Sequence, residues 1–132
     1  MRLRLSKSEI LRGHESFTRV ITTGHSISAP PVRCYYIRRE GTPPRILAGF
    51  SVSRNIRRAV DRNKAKRLMR ESFRLNKYAM QQQSKENNVS LDIVFMYSGS
   101  RSALVGKVAL KNVEEAVRKL TLMISKPGAG ML

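Results

Sequence analysis

Between Arg54 and Arg74, nine cationic side chains occupy twenty-one positions, offset only by Asp61 and Glu71. Guanidinium and ammonium groups at this density suit one kind of chemistry: neutralising a polyanion and releasing its condensed counterions. Arg62, Lys66, Arg70 and Arg74 recur at every fourth position. On a helix they form a like-charge ladder that destabilises the isolated helix by roughly 0.2–0.5 kcal/mol per pair, and an external anion relieves that repulsion. At 100° per residue, Arg62, Asn63, Lys66, Arg67, Arg70 and Arg74 fall within an arc of roughly 140°, with Ala65, Leu68, Ser72 and Leu75 opposite. Met69 and Phe73 are expected on the border, under the aliphatic stems of the basic residues.

The rest of the chain agrees with a binding role. It has 132 residues, 41% hydrophobic, enough for one domain with a core. A formal charge of +17 and a pI near 11.3 exceed what solubility requires and imply a polyanionic partner. Nucleic acid comes before an anionic membrane, because no run approaches the ~20 apolar residues of a membrane span. The basic start at Met1 is followed by Ser8, Glu9 and Arg12 rather than an apolar stretch, so no secretory signal is read and a cytoplasmic location is expected.

Other chemistry finds little support. The nine acidic residues include no pair spaced for general acid and base work or for a shared metal. Asp61 is expected to complement a helix start and its neighbouring arginines, and Asp92 to open a strand. Cys34 is the single cysteine and reads as a buried thiol. His14 and His25 lack ligand partners at metal-binding spacing and read as surface or RNA-facing residues. Neither Gly49 nor Gly99-Ser100 leads into the Lys-Ser/Thr helix start of a phosphate-cradling loop. No catalytic residue, metal site, bound cofactor or small-molecule substrate is assigned to this chain.

The elements that must position the cations follow from periodicity. A first helix is expected with Ser8 as N-cap and a stripe of Ile10, Leu11, Phe17, Val20 and Ile21 that closes at Gly24; Gly13 weakens its middle. A short extended piece, Ser26 to Ser28, is interrupted at Ala29-Pro30-Pro31. Residues 32–38 then read as a strand with Val32, Cys34 and Tyr36 on one side and Arg33, Tyr35 and Ile37 on the other. A turn at Glu40 to Pro44 predicts an antiparallel hairpin with the next strand, Arg45 to Ser53. The basic helix should start near Ala59 and run to about Gln82, before Ser84 to Asn88 breaks it. Leu91 to Tyr97 is nearly all apolar and should lie centrally in a sheet. Leu104, Val108, Val113, Val117, Leu120 and Ile124 mark a last amphipathic helix covering one sheet face, with Glu114 and Glu115 in its body. The expected domain is 1–125, with 126–132 as a frayed tail.

Several of these residues also carry a family resemblance. The run Gly49-Phe50-Ser51-Val52-Ser53-Arg54, then Ala59-Val60, Arg62-Asn63, Lys66-Arg67, Arg70 and Phe73-Arg74, resembles the signature of the bacterial ribonuclease P protein component. Phe17, Val20, Gly24, Tyr35, Pro44-Arg45 and Asp92-Ile93-Val94 fall in the same order, so the likeness spans about Ile10 to Leu120. It implies a single α+β domain with a small mixed sheet of about four strands and three helices, similar to a ribosomal-protein domain with a left-handed β-α-β crossover. The usual handedness rule would not have suggested that crossover.

The resemblance implies a protein subunit that assists a catalytic RNA, which itself removes the 5′ leader of precursor tRNA with bound Mg2+ held mainly by the RNA. Arg62, Asn63, Lys64, Lys66, Arg67 and Arg70 match the family's motif facing that RNA, and Arg54, Arg57, Arg58 and Arg74 extend the same surface. Phe17, Ile21 and Tyr35 match positions of the cleft that holds the single-stranded leader. Arg33, on the side of Tyr35, supplies a phosphate partner beside a stacking ring, with Lys66 and Arg70 as further leader contacts. Lys64 replaces an arginine and so loses a bidentate fork, and Arg57 stands where glycine is usual. Ile21 replaces a frequent phenylalanine, removing a stacking surface valued at about 1 kcal/mol or more. The alternative reading is a basic structural ribosomal, rRNA-binding protein.

Overall fold

The structure is a computed structural model that describes residues 10–11, 13–40, 44–104 and 109–125. Helix α1 (His14–Thr23) leads into strands β1 (His25–Ala29), β2 (Val32–Glu40) and β3 (Ile46–Val52), followed by helix α2 (Ala59–Asn87) and strand β4 (Val89–Tyr97). A 3₁₀ turn (Ser102–Leu104) precedes helix α3 (Ala109–Ser125). The strands form one sheet in the order β1-β2-β4-β3, with β4 antiparallel to β2 and parallel to β3. The fold is thus α+β, a four-stranded mixed sheet with three α-helices among the described residues.

Strand β4 is apolar on both sides because it is covered on both sides. Phe95 pairs with Cys34 and Phe50 toward α2 and α3, and Val94 pairs with Tyr35 and Gly49 toward α1. It occupies the central place expected of it and starts at Val89, earlier than its apolar run suggests.

That central place overturns the expected β2–β3 hairpin. β4 inserts between the two strands, and β2 instead makes its hairpin with β1 across Pro30-Pro31, whose peptide is cis. Insertion lets a strand with two apolar faces bury both, whereas an edge place would leave its backbone unpaired. Residues 41–43 of the expected turn lie outside the described set.

Helix α1 begins at His14, later than expected. Gly13 has a φ of 94°, a left-handed conformation that favours glycine, and serves as N-cap. Ile10 and Leu11 are extended: Ile10 bridges Ala48, and the Leu11 N–H donates to the Ala48 carbonyl at 2.9 Å. They belong to the apolar stripe by type but satisfy the open edge of β3 instead of a helix. Ser8, the expected cap, lies outside the described residues, as do Val108 and the tail at 126–132.

Helix α2 starts at Ala59 as expected and continues past Gln82 to Asn87, where Asn88 adopts a left-handed conformation with φ 53°. The polar run does not break the helix because Ser84 is buried and its hydroxyl donates to the Val89 carbonyl, while Asn88 forms the C-cap. Its dry stripe is rotated from expectation toward Met69 and Phe73, which are fully buried with Ala65, Ser72 and Met80, and Leu75 is exposed. The larger side chains set the buried face, since they carry most of the apolar area.

Helix α3 buries Val113, Val117, Leu120 and Ile124 as expected and packs on α2, β1 and β2. Leu104 is buried from the 3₁₀ turn rather than from the helix. Together α2 and α3 close one sheet face over Cys34, Tyr36, Phe50, Phe95 and Tyr97. Among the described residues, the other face carries α1 and a smaller cluster of Leu11, Val20 and Val94. Among the described residues, no helix is long and apolar enough to cross a membrane.

Candidate nucleic-acid interface

Alternation along β2 sorts its side chains between the two faces. Val32, Cys34 and Tyr36 are buried under α2 and α3, and Arg33, Tyr35 and Ile37 point to the α1 side, as the sequence pattern predicts. The Cys34 thiol is buried, and burial pushes its pKa well up. Tyr35 and Ile37 then meet Phe17 and Ile21 from α1 and Leu47 from β3 around the buried Val94. All five are only partly buried, so the α1 face carries an apolar and aromatic groove instead of a sealed core. Phe17 lies flat on Gly49: a Cβ there would sit 2.5 Å from the ring's Cζ. Glycine at this position lets the ring reach the sheet backbone. Arg33 is exposed beside this groove, opposite Met96 of β4.

The cationic segment divides differently from expectation. Arg54, Arg57, Arg58 and Arg67 are exposed and Lys64 and Lys66 half-buried, none with an ion pair or hydrogen bond among the described residues. Arg62 instead turns back onto its own chain. Its Nη1 donates to the carbonyls of Ile56 at 2.9 Å and Ser53 at 3.3 Å, and its Nη2 to that of Val52 at 3.3 Å. It therefore pins the loop between β3 and α2. Arg70 is exposed, with its guanidinium carbon 5.8 Å from the Phe50 ring centroid, a cation–π contact at edge strand β3. Arg74 pairs with Glu71, Nε donating to Oε2 at 3.0 Å, and that bond holds the Glu71 carboxyl below its usual range.

Lys66 and Arg70 lie on α2, across the sheet from α1, so the structure does not gather them with Phe17, Ile21, Arg33 and Tyr35. Asn63 is exposed one position from Arg62. Asp61 is approached not by the arginines of its own helix but by Arg101, whose Nε stands 2.8 Å from Oδ2 without hydrogen-bond alignment.

Asp92 departs most from its sequence reading. It lies inside β4 rather than opening it, is 2% exposed, and its Oδ2 accepts from Arg39 Nη2 at 2.6 Å and Arg19 Nη2 at 3.2 Å. An acidic residue within an apolar central strand was the available signal, since a buried carboxylate needs cationic partners. The partners themselves, remote in sequence, carried none. His25 is exposed, its ring tilted against Tyr36 at 5.4 Å; the His14 side chain lies outside the described residues. Among the described residues, no three His, Cys, Asp or Glu side chains gather to hold a metal ion.

The likeness to known proteins runs over most of the chain. The family model described as Ribonuclease P matches residues 5–121. A ribonuclease P protein component of Pelotomaculum thermopropionicum is 33% identical over 112 residues, covering 85% of this chain and 88% of the relative. Another, from Caldanaerobacter subterraneus, is 30% identical over 126 residues, covering 96% and 98%. The solved RNase P protein of Staphylococcus aureus superposes with a TM-score of 0.63 at 25% identity, over 89% of this chain and 92% of that one. With a family match over most of the sequence and relatives that cover it nearly end to end, the chain belongs to the ribonuclease P protein component family.

Proposed function

We propose that this protein is the accessory subunit of a ribonucleoprotein in which a catalytic RNA cuts precursor tRNA, and that it holds two RNAs at once. The observation that carries this reading is the division of the sheet: unneutralised cations at the entry of α2, and a partly open aromatic groove under α1. The exposed guanidinium groups of Arg54, Arg57, Arg58 and Arg67 displace counterions from the catalytic RNA, with Lys64 and Lys66 beside them. The groove of Phe17, Ile21 and Tyr35 takes the single-stranded 5′ leader by stacking, with Arg33 meeting a phosphate. The bond is broken by the RNA and its Mg2+; the protein raises affinity for precursor over mature tRNA. In this reading the protein works in the cytoplasm beside its RNA partners.

Lys66 and Arg70 stand on the catalytic-RNA side in this reading, and Arg62 acts by holding the loop. The test is reconstitution. Mixed with ribonuclease P RNA at low Mg2+, the protein should accelerate precursor cleavage and favour precursor over mature tRNA in binding. Equal affinity for both tRNAs would reject the leader role, and cleavage by the protein without RNA would reject the division of labour.

A further inference from the structure

The α1 face holds a second polar feature beyond the aromatic groove. Arg19 of α1 and Arg39 of β2 converge on one oxygen of Asp92, which is 2% exposed, while their own side chains remain 53% and 48% exposed. One carboxylate cannot cancel two guanidiniums, so the trio keeps a net positive charge. Each arginine has five N–H donors, and the bond to Asp92 uses only one of them from each. The remaining donors belong to half-exposed groups whose orientation is fixed from beneath by a buried anion. Such pre-ordering lowers the entropy lost when a planar fork meets a phosphate.

The position of the trio says which phosphate. At one end of β2, Val32 pairs with Tyr97, and Tyr97 with Val52, whose carbonyl Arg62 holds. That end, with Arg33, adjoins the cationic entry of α2. Arg39 pairs with Ser90 at the opposite end of the strand. Six residue steps of β-strand lead from Arg33 to Arg39, about 20 Å, and Tyr35 and Ile37 lie between them on the same face. We propose that Arg19 and Arg39, oriented by Asp92, form a distal phosphate seat for the precursor leader, several nucleotides upstream of the part that stacks on Tyr35. Asp92 is a positioning residue here, and the proposal rests on the leader reading above.

The experiment uses holoenzyme reconstituted with the catalytic RNA and precursors whose leaders lengthen one nucleotide at a time. With the unaltered protein, affinity should rise with leader length and then level off. Arg19→Ala and Arg39→Ala should each lower affinity for the longest leaders about 3- to 10-fold, reduce the salt slope by about one, and make the plateau arrive at a shorter leader. Short-leader precursors should bind as before. Asp92→Asn, with folding checked by circular dichroism, keeps both cations, so the salt slope should stay while the long-leader gain shrinks; a purely structural role would lower all lengths alike. Unchanged length profiles in both arginine variants overturn the seat, as does a loss confined to binding of the catalytic RNA alone. If the unaltered holoenzyme itself shows no dependence on leader length, the leader reading fails first, and the seat with it.

Discussion

The two faces of the sheet are built from the same strands yet do different work. Under α2 and α3, Phe50, Phe73 and Phe95 form a buried aromatic cluster with centroids 5.4–6.2 Å apart. Under α1, Phe17, Tyr35 and Ile21 remain partly open around a single buried valine of the sheet, Val94. Among the described residues, one helix packs on this face and two pack on the other. The difference teaches that stability and recognition are separated by the pleat: adjacent residues such as Tyr35 and Tyr36 serve opposite faces.

The largest expected effect tests the closed face. Phe95→Ala removes a fully buried ring and should destabilise the fold by about 3–5 kcal/mol in denaturant unfolding. A loss near zero would mean that this face is not the principal core. Arg62→Ala comes next, because three carbonyls lose a charged donor. It should cost about 1.5–3 kcal/mol of stability, with the salt slope of RNA binding nearly unchanged. A lowered slope with full stability would place Arg62 on the RNA instead.

On the open face, Phe17→Ala should weaken precursor binding by about 1–3 kcal/mol while mature tRNA binds as before. Gly49→Ala sharpens that test without removing the ring, because the new methyl would stand 2.5 Å from the Phe17 Cζ and displace it. It should lose part of the same selectivity. If Gly49→Ala is silent, the ring's seat on the sheet does not set the groove. The smallest effect is expected at the ridge: Arg58→Ala should leave stability within about 0.5 kcal/mol and reduce the salt slope of catalytic-RNA binding by about one.

Much of the fold was legible because it depends on neighbours in sequence. The start of α2 at Ala59, the alternation of β2, the centrality of β4 and the apolar stripe of α3 all follow from periodicity and residue type. The β2–β3 hairpin that nearness in sequence suggests does not form, because such nearness is only a prior on pairing. A strand some forty residues on, β4, had more apolar surface to bury and took the place between them. Likewise Ile10 and Leu11 have the right types for a helical stripe, but the free edge of β3 offered their backbone partners.

For the candidate site, the sequence determined the density of positive charge, the helix that displays it, and which side chains of β2 share a side. These are properties of composition and of a fixed residue period, and no distant contact can change them. Only the tertiary structure decided that Arg62 bonds its own loop, that Lys66 and Arg70 stand across the sheet from Phe17, and that Arg19 and Arg39 meet at Asp92. A long cationic side chain goes wherever a carbonyl or carboxylate lies within reach. Strand order and helix placement, not sequence spacing, bring those acceptors near.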